Sequence, residues 1–194
     1  MDTKSFPTKS NLAEDNVRKK AIWTIAAIAL VGLGVLIVLV MRQPAPIPGL
    51  KLYGRQLRGH DNSITVESGD LPPVGGVHYD AWQTCGIYTA PIAPENAVHS
   101  LEHGAVWITY QPNLPAAQIE QLQSIVRDEP YLLLSPYPDQ QSPVVLTAWA
   151  VQLEVDSAAD ERIETFIQRY RLGPSTPERG GACNGRGGVG SPLS

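Results

Sequence analysis

The chain has 194 residues, 43% of them hydrophobic, and a formal net charge of −4. Beyond residue 42 it carries nine basic and sixteen acidic groups, and Lys51 is the only lysine there. A surface of that sign repels phosphate backbones, which argues against a nucleic acid partner.

Residues 1–20 are polar and lack periodicity, and they read as a disordered cytoplasmic tail. Residues 21–41 contain no charge and are almost wholly apolar. At about 1.5 Å per residue they reach roughly 31 Å, the hydrocarbon thickness of a bilayer. The run is long for a signal peptide, and no small-x-small cleavage site follows it, so it reads as an uncleaved transmembrane anchor whose partner is membrane lipid. Arg18, Lys19 and Lys20 at its start outnumber Arg42 at its end. The positive-inside rule then puts the N-terminus in the cytoplasm and residues 43–194 outside. Residues 42–58 follow as a Pro-rich and then basic spacer, with Pro44, Pro46 and Pro48 favouring extended chain.

The extracytoplasmic domain is expected over 59–172. Ile64–Glu67 alternates weakly, as a short strand does. Gly69–Gly76 is too rich in Gly and Pro for regular structure and delivers His78. Pro94 opens a helix that runs to His103, and Gly104 stops it. A strand is expected over 105–110, an amphipathic helix over 115–128, a short strand over 131–135 and one long strand over 143–155. A second amphipathic helix covers 157–172, with Ser157 as its N-cap. This order predicts an α+β fold: a small, mainly antiparallel sheet with helices packed on one face, preceded by one transmembrane helix. Residues 173–194 hold seven glycines and three prolines and read as a flexible tail that Cys183 ties down. Outside the cytoplasm Cys85 and Cys183 are placed to form a disulfide; two free thiols are the alternative.

The stretch Val98–Tyr110 carries the chemistry. His99 and His103 are four apart, so on a helix they share a face, with Glu102 between them. A loop histidine, His78, completes a possible triad. Imidazole suits copper and zinc, and the metal ligands are expected to be His78, His99 and His103. Glu102, Tyr79 and Asp80 are candidates for a further ligand or a supporting hydrogen bond. The only methionines are Met1 and Met41, so a blue-copper axial ligand is missing. His60, in the turn-like Gly59-His60-Asp61-Asn62, reads as a solvated residue.

Three functions fit. The leading one is a domain that binds a copper or zinc ion, in metal handling or as an accessory subunit of a membrane-protein complex. The second is a metal-free interaction module docking on a membrane partner. The third is a small metallohydrolase, because His99-Ser100-Leu101-Glu102-His103 fits the inverted zinc-protease pattern with the glutamate as general base. Such enzymes are much larger. No phosphate-binding glycine loop and no nucleophile elbow accompany the pattern, so an enzyme is the less favoured class.

Three segments carry a family resemblance: Pro72-Pro73-Val74-Gly75-Gly76-Val77-His78-Tyr79, Cys85-Gly86-Ile87-Tyr88, and Val98-His99-Ser100-Leu101-Glu102-His103-Gly104-Ala105-Val106. With a late cysteine in a Gly-rich tail, they resemble the bacterial Domain of Unknown Function 3105 family over roughly residues 50–190. The resemblance implies a membrane-anchored or secreted domain. It marks His78, His99, Glu102 and His103 without assigning them a reaction.

Overall fold

The computed structural model describes residues 9–41, 44–66 and 69–193. The chain divides into two units, residues 1–46 and 47–194.

The first unit is one helix, α1 (Lys9–Met41). It starts at Lys9 rather than Ala21, so residues 9–20, expected to be disordered, are helical; residues 1–8 of that tail lie outside the described residues. Within it, Arg18–Met41 is long and apolar enough to cross a membrane. Gln43 and Glu67, part of the expected spacer and first strand, also lie outside the described residues.

The second unit is built on a six-stranded mixed sheet in the order β1-β6-β5-β3-β4-β2. The strands are β1 (Lys51–Leu52), β2 (Gly86–Ile87), β3 (Val106–Tyr110), β4 (Leu132–Pro136), β5 (Val144–Ala148) and β6 (Val151–Val155). β2 and β3 both run parallel to β4, and the remaining pairs are antiparallel, which makes the fold α+β as expected. Three helices pack on it: α2 (Pro94–His103), α3 (Ala116–Val126) and α4 (Arg162–Tyr170).

Strand side chains alternate between faces. Val106, Ile108, Leu132, Leu134, Leu146 and Leu153 point to one side and bury Leu122 and Val126 of α3 with Ile163 and Phe166 of α4. Trp107 and Leu133 point to the other side and bury Ala97, Val98 and Leu101 of α2. The expectation of helices on one face therefore describes α3 and α4, while α2 covers the opposite one. The strand order supplies a reason. From β2 the chain passes beyond β4 to β3, then returns to β4. Right-handed crossovers taken in opposite directions put their helices on opposite faces.

Three expected elements differ. Ile64–Val66 forms no strand. The long strand 143–155 is instead a hairpin, β5 and β6, turning at Trp149–Ala150, with Ala150 at φ 59°. The turn is held from outside: the Ala150 N–H donates to Val74 O at 2.7 Å, and the Tyr53 N–H donates to Ala150 O at 2.9 Å. The helix expected over 157–172 begins only at Arg162; Ser157 caps the preceding turn through its hydroxyl and the Ala159 N–H. Segment 47–58, read as spacer, places Ile47 in the core and β1 at the sheet edge, where Lys51 pairs with Glu154.

Candidate metal centre

The centre forms where the C-terminal turn of α2 meets two loops. Helix α2 is held there on two sides. Its apolar side enters the core, and its polar side bonds the loop before it: Asn96 Nδ2 donates to Ala81 O at 2.6 Å and Ser100 Oγ donates to Gln83 O at 2.7 Å. The helix ends at Gly104, where φ is 110° and a Cβ would meet Leu172 Cδ2 at 2.7 Å. Its last four carbonyls are all satisfied: Gly104 N–H on Leu101 O, Ala105 N–H on Ser100 O, Glu178 N–H on Glu102 O and Gly180 N–H on His103 O.

His78 arrives on the glycine loop. Gln152 Nε2 donates to Pro72 O at 2.9 Å, and with the Ala150–Val74 bond this fixes the loop on the sheet. A parallel bridge then joins His78 to His60: Asp61 N–H donates to His78 O at 2.8 Å and His78 N–H to Gly59 O at 3.1 Å.

Four side chains converge. One ligand atom each from His60, His78, His99 and Glu102 lies within 4.8 Å of all the others. His78, His99 and Glu102 are buried, at 0%, 4% and 2% exposure. His103 stands beside this group, its Nε2 lying 3.1 Å from Nε2 of His99. The rings are oriented by backbone carbonyls. Nδ1 of His78 faces Gly76 O at 2.8 Å, that of His99 faces Tyr79 O at 2.7 Å, and that of His103 faces Ala182 O at 2.6 Å. A carbonyl only accepts, so each Nδ1 carries a proton and each ring turns its Nε2 into the site. This is how metal-bound histidines are commonly fixed.

Nε2 of His78 lies 3.1 Å from Glu102 Oε2, within ion-pair distance, and this buried nitrogen makes no hydrogen bond. The 3.1 Å pairs are near the spacing an ion needs: with bonds of about 2.0–2.1 Å, neighbouring ligands of a tetrahedral ion lie roughly 3.3 Å apart. The end of α2 adds the negative pole of the helix dipole. Burial, followed by the neighbouring imidazoles and against the pull of the Tyr79 carbonyl, lowers the pKa of His99 to about 4, which keeps its nitrogen free of protons.

Glu102 is positioned from its other oxygen. Arg58 Nε donates to Glu102 Oε1 at 2.7 Å, and Arg58 Nη2 donates to Glu178 Oε1 at 2.7 Å. Trp82 and Trp149 wall the site, 5.7 Å from the His103 ring and 6.0 Å from the His78 ring.

The C-terminal segment braces the same helix. Cys85 and Cys183 form the disulfide, 98 residues apart, and Cys85 N–H donates to Cys183 O at 2.7 Å. Rather than hanging loose as its composition suggests, residues 173–193 supply the Ala182 carbonyl, lay Gly181 against the His103 ring and contribute Glu178.

Of the expected residues, His78 and His99 share the four-donor group with Glu102, while His103 lies at its side through His99. Tyr79 acts through its backbone carbonyl, its hydroxyl being turned to Ile64 O at 3.1 Å. Asp80 is exposed and stands outside the four-donor group. His60, read as solvated, belongs to that group, and Arg58 was not expected there. No local pattern announces either one: the bridge to His78 and the carboxylate of Glu102 bring them in.

A family model described as a protein of unknown function (DUF3105) matches residues 60–185. No curated protein and no solved structure matches the chain.

Proposed function

The chain belongs to the DUF3105 family, whose description names no reaction, and from that premise we propose that it is a membrane-anchored, extracytoplasmic domain that binds one divalent copper or zinc ion. The ligands are Nε2 of His78 and His99 with Oε2 of Glu102, and His103 is a neighbouring donor. The carrying observation is the convergence of donor atoms of His60, His78, His99 and Glu102 within 4.8 Å of one another, with the buried Nε2 of His78 free of hydrogen bonds 3.1 Å from the carboxylate oxygen. All the donors are nitrogen or oxygen, and both cysteines are tied in the disulfide, which favours Cu(II) or Zn(II) over Cu(I). The role is metal handling or support of a membrane complex, with α1 in the bilayer and the N-terminus in the cytoplasm; the disulfide favours that side for the domain. Glu102 has one oxygen on Arg58 and the other toward His78, the posture of a ligand rather than of a base holding water.

Elemental analysis of the full chain, matured in an oxidising compartment and purified in detergent, tests this. About one copper or zinc per chain is expected, and His78→Ala and His99→Ala should each lose it. Equal metal content in wild type and variants rejects the proposal and leaves the metal-free interaction module.

A further inference from the structure

His60 differs from the donors it meets. Its side chain is 44% exposed, whereas those of His78 and Glu102 are 0% and 2% exposed. Among the described residues no carbonyl bonds its Nδ1; the ring stacks on the His99 ring at 4.7 Å and 22°. Its Nε2 is 3.8 Å from Glu102 Oε2, against 3.1 Å for His78. Three donors are thus held in the interior by the fold, and one reaches in from solvent and stands slightly back.

The segment that carries His60 is held at its two ends. Tyr53 N–H bonds Ala150 O, and the bridge at Gly59–Asp61 joins His78. Between these, residues 54–58 are exposed apart from half-buried Gln56, and the Arg58 side chain links the segment to Glu102 and Glu178. Three protein ligands with a fourth position open to another donor distinguish an accessible metal site from a closed structural one.

We propose that His60 is the exchangeable fourth ligand, the donor that a competing ligand displaces when a divalent ion enters or leaves. The inference rests on the metal-binding reading above and adds the route. Ions pass through the face that His60 covers, and the incoming donor, a water or a side chain of an acceptor protein, takes the place of its Nε2. His78, His99 and Glu102 hold the ion while that substitution occurs.

Cobalt(II) as the probe gives a coloured site whose release is timed by absorbance. The full chain in detergent is loaded with Co²⁺ and mixed with excess EDTA. His60→Ala should still take up one Co²⁺ per chain, with an altered visible band, and should release it at least about tenfold faster than wild type. His78→Ala should take up none. Equal release rates in wild type and His60→Ala overturn the inference while leaving the metal site intact. Loss of all Co²⁺ from His60→Ala also overturns it, because His60 is then an obligatory ligand. A wild-type chain that takes up neither Co²⁺ nor Zn²⁺ overturns the metal-binding reading itself.

Discussion

Nε2 of His99 and Nε2 of His103 face each other at 3.1 Å, and each ring has committed its Nδ1–H to a carbonyl, Tyr79 O for one and Ala182 O for the other. With each Nδ1 so engaged, the two Nε2 atoms are left to share a proton or to bind a metal ion, and the two compete for the same nitrogens.

That competition has a measurable sign. Burial lowers the pKa of His99 to about 4, against an ordinary value of 6.5. Between those values the unfolded metal-free chain binds the proton and the folded one does not. The contribution of His99 to stability is therefore complete above about pH 6.5 and is lost as the pH falls toward 4. Urea midpoints of the metal-free chain should drop from about pH 7 to about pH 5, and the drop should shrink in His99→Gln. An identical pH profile in the variant contradicts this account.

Glu102→Gln keeps an oxygen for Arg58 and removes the negative charge from the donor group. Zinc affinity, measured by competition with a chromogenic chelator, should fall by about 10–100-fold with the thermal midpoint little changed. Unaltered affinity would take Glu102 out of the ligand set.

Gly181→Ala reaches the centre through the His103 ring alone. A Cβ at this position would lie 2.6 Å from His103 Cγ, so the ring must swing away and its Nδ1 leaves Ala182 O. Zinc should bind about tenfold more weakly while the disulfide still forms, as read on a non-reducing gel. Full affinity would make His103 a bystander.

Replacing both cysteines, Cys85→Ser with Cys183→Ser, opens a covalent loop whose ends are 98 residues apart. In the chain-entropy model the loss is about 4–5 kcal/mol, visible as a lowered denaturant midpoint. Zinc affinity should fall as well, because Ala182 precedes Cys183 and holds the His103 ring. A variant with unchanged midpoint and affinity would mean that the C-terminal segment docks without its tether.

Local signals carried much of this. Pro94, the 3.6-residue spacing of Ala97, Val98 and Leu101, and Gly104 delimit α2 as it is found, because capping and amphipathicity act within one helix. Apolar periodicity likewise locates α3 and the apolar runs of β3 and β4. Distant contacts decide what local pattern cannot. Residues 144–155 alternate without a turn dipeptide, and Val74 and Tyr53 bend them at Trp149–Ala150. His60 looks solvated until its backbone pairs with His78. Arg58 reads as one charge of a linker until Glu102 and Glu178 claim it. Composition makes residues 173–193 seem loose, whereas Cys183 and the open carbonyls of α2 give them a place to lie.

The carbonyl that orients His103 sits next to the second half of a covalent bond whose first half is Cys85. A ribosome makes Cys85, α2 and the whole sheet before it reaches Ala182. The support for the His103 ring is therefore the last part of the pocket to be synthesised, and it lies one residue from the cysteine that closes the covalent loop.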